Sequence, residues 1–161
     1  MALKTLIVTG LSGAGKSKAI NILEDAGFFC VDNVPPQLVR TFVDLCHSGK
    51  SEIDNLAVVT DIRGDIFSEQ FQSALSDFRN NNKSVEILFL EADPDVLVSR
   101  YQATRRKHPL MGRAGSLIQS IQMDLSQGFL RAAADFIRRE SMIFQGKGHF
   151  LPHRQRNNLG F

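Results

Sequence analysis

The stretch from Gly10 to Ser17, GLSGAGKS, constrains this chain more than any other. It satisfies G-x-x-x-x-G-K-[ST] at every fixed position, with Leu11, Ser12, Gly13 and Ala14 as the free four before Gly15, Lys16 and Ser17. An apolar run from Leu3 to Val8 leads into it and a helical repeat leads out. A strand, a phosphate-binding loop and a helix therefore follow one another within about thirty residues. Glycines at 10, 13 and 15 let successive N–H groups turn into one concavity that suits phosphate oxygens. Lys16 supplies a point charge for β- and γ-phosphates, Ser17 a hydroxyl for Mg²⁺, and the helix start its positive dipole end. Gly10 to Ser17 are thus candidate binding residues, Lys16 is also a candidate catalytic residue, and Ser17 a candidate metal ligand.

A chain of 161 residues has room for one domain with a proper core. Its 43% hydrophobic and 22% charged content excludes global disorder and fibrous classes. The net charge of +2 is unevenly spread. Arg100, Arg105, Arg106, Lys107 and Arg113 fall between Val96 and Arg113 with no acid among them, and Arg138, Arg139, Lys147, Arg154 and Arg156 face only Glu140. Two cysteines, Cys30 and Cys46, make neither a disulfide framework nor a metal spacing and read as small buried residues of a reducing compartment. The N-terminus runs straight into the strand without a signal-peptide pattern, and no apolar run approaches the ~20 residues of a membrane helix. The expectation is a cytoplasmic protein without membrane association.

Along the chain, Ala19, Ile20, Ile22, Leu23 and Ala26 keep helical spacing, and Gly27 marks the stop. Phe28 to Val31 is a short continuous apolar run, predicting a strand covered on both faces of a parallel sheet. Pro35-Pro36 open a second helix with Leu38, Phe42, Val43 and Cys46 on one side. Leu56 to Ile62 is a third strand, and Ile66 to Asn81 a helix whose Phe67, Phe71, Ala74, Leu75 and Phe78 form a packed face. Val85 to Leu90 is a fourth strand. Asp93-Pro94 then cap a helix that turns Val96, Leu97 and Tyr101 inward and ends in Arg105-Arg106-Lys107-His108-Pro109. Gly112 to Gly115 reads as a loop, and Ser116 to about Ile137 as one long amphipathic helix carrying Leu117, Ile118, Ile121, Leu125, Phe129, Ala132, Ala133 and Phe136. Past Arg138 the periodicity fades and no strand is convincing. Strands alternating with helices argue an α/β fold: a doubly wound, mostly parallel sheet of the P-loop NTPase/kinase type.

Beyond the loop, Asp61 at the end of the third strand is the candidate Walker B carboxylate that holds Mg²⁺ directly or through water. Asp32 ends the second strand, and metal or substrate contact and plain turn residue stand level for it. Arg105 and Arg106 could neutralise a transferring phosphoryl group, contact RNA phosphates, or simply be the solvated end of a helix. They join Lys16 as candidate catalytic residues. His108, His149 and His153 show no metal-ligand spacing.

Four segments, GLSGAGKSKA, LEDAGFFCVDNVP, TDIRG and FLEADPDVLVSRYQATRRKHPL, occur in this order and together resemble the P-loop proteins of the RapZ/YvcJ type, the bacterial RNase adapter family. The resemblance runs from about Leu6 to about Ile137. It implies ATP and GTP binding with slow hydrolysis and, in some members, binding of small RNAs that are presented to an endoribonuclease. By position it places ATP on Gly10 to Ser17 and GTP on Asp61, Ile62, Arg63 and Gly64. It also implies a C-terminal domain for RNA and amino-sugar ligands that this sequence does not contain. Residues 138–161 depart from the family pattern, as a truncated or frame-shifted gene would produce. Residues 1–137 are therefore expected as the nucleotide-binding domain and 138–161 as a divergent basic tail whose order is left open, as is a homo-oligomer. The combined expectation is a weak ATPase/GTPase acting as a nucleotide-binding regulator with Mg²⁺. A small-metabolite kinase of the P-loop class and a non-catalytic RNA-binding module are the alternatives.

Overall fold

A computed structural model describes residues 3–48, 53–61, 65–81, 85–126, 141–145 and 149–152. The elements in order are β1 (Lys4–Gly10), α1 (Lys16–Asp25), β2 (Phe29–Val31), α2 (Pro36–Ser48), β3 (Asn55–Val59) and α3 (Asp65–Asn80). They continue with β4 (Val85–Glu91), α4 (Pro94–Thr104), α5 (Met111–Ala114), α6 (Leu117–Ser126), β5 (Ser141–Gln145) and β6 (His149–Pro152). The sheet order is β2-β3-β1-β4-β5-β6, with every pair parallel except β5 with β6. The chain starts at the centre, runs out to β2 at one edge, returns to β3 beside β1, and then crosses to β4 and β5 on the other side. β1 is thus flanked by β3 and β4, which makes its carboxyl end the switch point where open α/β sheets bind ligands.

Alternation along the strands divides the core into two layers. Leu3, Ile7, Leu56, Val58, Val85, Ile87 and Phe89 face α2 and α3, where Val39, Val43, Phe71, Ala74, Leu75 and Phe78 close over them. Leu6, Val8, Val59, Leu88 and Leu90 face the other way, toward Ala19, Ile20 and Leu23 of α1, Leu97 of α4 and Ile121 of α6. Arg40 of α2 also bonds Asp77 of α3 across the first layer. Phe71, Ala74, Leu75 and Phe78 are buried core, as their spacing predicts. Phe67 lies outside the residues whose side chains are described.

Several boundaries differ from the sequence reading. β2 is the sheet edge, not a covered strand, and Phe29 is 51% exposed there. A short apolar run cannot distinguish an edge from a centre, because the missing neighbour is a property of topology. On α2, Val43 is buried and Phe42 and Cys46 pack against the first layer as expected, while Leu38 is 50% exposed and Val39 is buried in its place. Val96 on α4 likewise points outward, and Leu97 is the buried residue. Of the expected loop Gly112 to Gly115, residues 112–114 belong to the short helix α5, which Gly115 closes by donating its N–H to the Met111 carbonyl. The helix from Leu117 is described to Ser126. The remainder of the expected helix, with Phe129, Ala132, Ala133 and Phe136, lies outside the described residues. Its inward face uses Ser120 and Ile121, and Ile118 is exposed.

The largest difference is past Arg138, where the sequence pattern announces no strand. β5 pairs in parallel with β4 through Ile87–Ser141 to Glu91–Gln145, and β6 returns antiparallel to it. β4 has β1 on one side and needs a partner for its other row of backbone groups. β5 supplies that partner through the main chain, which asks little of local propensity.

Candidate functional site

The loop between β1 and α1 is anchored by its own backbone. Leu11 N donates to the Leu90 carbonyl at 3.0 Å and Ala14 N to the Leu11 carbonyl at 3.1 Å. Gly10 has φ 141° and lies against β4 so closely that an added Cβ would meet the Leu90 oxygen at 2.1 Å. Only glycine fits there, because both the dihedral and the strand-to-strand approach exclude a side chain. α1 begins at Lys16, and Lys18 N and Ala19 N both donate to the Gly15 carbonyl, at 3.0 and 3.1 Å. Its far end is closed as expected by Gly27, whose N–H donates to the Glu24 carbonyl.

The distribution of loop amides defines what the loop can bind. Those of Leu11 and Ala14 are spent on carbonyls, and that of Ser12 on the Asp124 carboxylate at 3.0 Å. Among the described residues none accepts from the amides of Gly13, Gly15 or Ser17. These donors sit at the opening turn of a helix that has no acidic residue in its first turn. An anion is the complementary ligand. The Lys16 ammonium curls over the same loop, donating to the Gly10 carbonyl at 2.7 Å and the Leu11 carbonyl at 3.1 Å.

Asp61 immediately follows β3, the strand paired with β1. Thr60 N donates to the Val8 carbonyl at 3.0 Å, and the Val8–Val59 pairing sets Asp61 level with Gly10. Asp61 is half-buried and stands beside the loop at the same carboxyl edge, where the sequence placed it. Ile62, Arg63 and Gly64 lie outside the described residues. Asp32 is exposed, and its Oδ1 accepts from Asn33 N at 2.7 Å in a turn where Asn33 has φ 58°. That local bond matches the turn reading of Asp32. Arg105, with φ 53°, is the exposed cap that ends α4, and Arg106 is exposed beside it. They sit on the segment that leads from α4 toward α5 and are not joined to the loop by any described bond.

The structure adds partners on the outer side of the loop. Arg100 Nη1 donates to the Gly13 carbonyl at 2.8 Å, and the Tyr101 hydroxyl lies 2.6 Å from Ser12 Oγ. His108 is 2% exposed, with Nε2 3.4 Å from the Asp124 oxygen that accepts from Ser12. The sequence carries one signal for Asp124: it occupies the i+7 position of the stripe Leu117, Ile121, where an apolar residue is expected. Oxygen donors at Ser17 and Asp61 suit Mg²⁺, which takes one or two protein oxygens and completes its shell with phosphates and water. The described residues contain no group of three or more His, Cys, Asp or Glu that could hold a metal by themselves.

The sheet order, the helices on both faces and the loop at the switch point define an α/β domain of the P-loop NTPase/kinase type. Solved structures share the architecture at low identity. A sugar kinase from Janibacter matches at TM-score 0.52 and 13% identity over 89% of this chain and 85% of that one. A chain of the PezAT toxin-antitoxin system of Streptococcus pneumoniae matches at TM-score 0.55 and 14% identity over 93% and 71%. Within this class the chain belongs to the family of the RapZ-like N-terminal domain, whose profile matches residues 3–147. A nucleotide-binding protein of Dictyoglomus turgidum is 49% identical over 124 residues, covering 77% of this chain and 42% of that one. Another from Caldicellulosiruptor saccharolyticus is 44% identical over 137 residues, covering 84% and 47%. The chain thus spans less than half the length of these relatives. No helix among the described residues is long and apolar enough to cross a membrane.

Proposed function

We propose that this domain binds a nucleoside triphosphate, ATP and GTP both, with Mg²⁺, and hydrolyses it slowly as a nucleotide-binding regulator. The observation that carries the proposal is the split among the loop amides: three are spent inside the protein, and those of Gly13, Gly15 and Ser17 have no described acceptor at the start of α1. Phosphate oxygens complete that arrangement. Lys16 contributes its charge by exchanging the two loop carbonyls for β- and γ-phosphate oxygens, and Ser17 and Asp61 hold Mg²⁺ between them and the phosphates. Phosphoryl transfer to water needs little more than positioning and charge neutralisation, to which Arg105 and Arg106 add positive charge. Membership of the RapZ-like family and the exposed basic segment 105–107 extend the reading to small RNA and an endoribonuclease as partners of a cytoplasmic protein.

Calorimetry of the 161-residue chain with Mg·ATP and Mg·GTP tests the core of this reading. Binding with a raised melting temperature is expected. Lys16→Ala should weaken it by about tenfold or more, since a charge-assisted contact is lost while the fold is untouched. Unchanged affinity in that variant overturns the assignment. Rapid transfer of the γ-phosphate to a hexose, with little hydrolysis in its absence, would instead mark a small-metabolite kinase.

A further inference from the structure

The side of the loop that faces away from the free amides is held by a chain of polar contacts from the second layer of helices. Asp124 Oδ2 on α6 accepts from Ser12 N at 3.0 Å. The same oxygen lies 3.4 Å from Nε2 of His108, a ring buried at the end of the basic segment. The other ring nitrogen, Nδ1, accepts from Leu110 N at 3.2 Å, so the proton of the neutral imidazole sits on Nε2 and faces the carboxylate. From α4 the Tyr101 hydroxyl meets Ser12 Oγ, and the Tyr101 ring lies 5.0 Å from that of His108. An added Cβ on Gly13 would come within 3.1 Å of the Tyr101 ring, so the loop rests directly on α4.

We propose that Asp124 is the positioning residue of the phosphate loop. Its carboxylate holds the Ser12 amide outward, the buried His108 ring lies beside the carboxylate, and the Gly13, Gly15 and Ser17 amides are thereby kept aimed at one point. This rests on the triphosphate reading above. A preformed cradle binds without an ordering cost, whereas a loop that only sometimes adopts the bound shape loses affinity in proportion to the fraction that does. The sign of the effect separates positioning from electrostatics. Asp124 is an anion close to a site for anions, so Coulomb's law alone has its removal tighten binding. Positioning has its removal weaken binding, and lets an uncharged acceptor replace it.

The test measures the Kd of Mg·ATP by calorimetry for the full chain, Asp124→Ala and Asp124→Asn. Alanine should weaken binding by about tenfold, the worth of one lost charge-assisted bond. Asparagine, whose amide oxygen can still accept from Ser12 N, should bind as well as the wild type or better. Asp124→Ala binding as tightly as the wild type, even with a lowered melting temperature, overturns the proposal, because a merely structural contact moves only the latter. Amide exchange in the unligated wild type gives an independent reading should the alanine variant fail to fold. Ser12 should be protected and Gly13 and Gly15 should not. Equal rates at the three positions overturn the proposal. If the wild type binds neither Mg·ATP nor Mg·GTP, the triphosphate reading fails, and the Ser12 protection still decides whether Asp124 anchors the loop.

Discussion

The two faces of the sheet are built on different principles. The face under α2 and α3 is closed mainly by apolar side chains: Val39, Val43, Phe71, Leu75 and Phe78 are at most 2% exposed, the buried Thr5 hydroxyl lies 3.4 Å from His47 Nε2 of α2, and the bonds between Arg40, Asp44 and Asp77 lie on the surface. The face under α1, α4 and α6 has a smaller apolar cluster and, above it, the polar chain Tyr101, Ser12, Asp124 and His108. Apolar packing is non-directional and tolerates repacking, so it stabilises without specifying the aim of any one group. Hydrogen bonds fix direction, and aiming three amides at one anion, as proposed above, needs direction. Stability and aim are thus drawn mainly from opposite sides of one sheet.

The sharpest way to break that division is Gly10→Ala, where the loop leaves β1 pressed against β4. The new methyl would lie 2.1 Å from the Leu90 carbonyl oxygen, which is backbone and cannot swing aside, and at a φ that side chains rarely adopt. Strain and overpacking together should cost about 3–5 kcal/mol, with nucleotide affinity lost alongside stability. Urea unfolding and calorimetry on the same sample check both, and a stable variant with normal affinity would show that the loop does not depend on its contact with β4.

Phe71→Ala asks the complementary question on the opposite face. Emptying a fully buried phenylalanine site should cost about 3–5 kcal/mol, while the folded fraction binds Mg·ATP with wild-type affinity. A matched fall in affinity would mean that the two faces are coupled through β1 and β3. Asp93→Ala is a smaller probe of the site face. Asp93 Oδ1 accepts from Asp95 N at 3.0 Å and caps α4, the helix that carries Arg100 and Tyr101 to the loop. Losing the cap should cost about 1 kcal/mol and change affinity by less than about threefold, read from the same two measurements.

What could be read from the sequence divides along the same line. The loop, its strand and its helix are legible because G-x-x-x-x-G-K-[ST] encodes its chemistry in eight consecutive residues. The cap at Asp93, the helix start at Pro36 and the Phe71 to Phe78 face are local signals too, and the structure has all three. The anchor of the loop is not local: Ser12 and Asp124 are 112 positions apart, and nothing in either neighbourhood names the other. Asp124 interrupts an apolar stripe, and His108 hides in a basic run whose charge draws attention to Arg105 and Arg106 instead. The edge position of β2 and the pairing of β5 with β4 are missed for a related reason. Both are decided by which neighbour the topology brings alongside, and local propensity cannot report that.

The two cysteines probe the comparison most gently. Cys46 packs against the apolar layer on α2, and Cys30 lies in β2, with Sγ donating to the Ile20 carbonyl of α1 at 3.8 Å. Burial pushes both thiols above the ordinary thiol range, and the Glu24 carboxylate adds to the shift at Cys30. The folded chain therefore holds these protons more tightly than the unfolded chain. Their contribution to stability is fully present below the ordinary thiol value and is lost as pH rises through the raised folded values. Since the thiolate is the nucleophile, both cysteines should alkylate with iodoacetamide more slowly at about pH 8 than in the urea-unfolded chain. Peptide mass mapping resolves the two sites. Native-state reaction at Cys30 as fast as in urea, with Cys46 still slow, would show that β2 leaves the sheet edge on the timescale of the reaction while the α2 face stays closed. Equal slowing at both would place β2 in the same cooperative unit as the apolar layer.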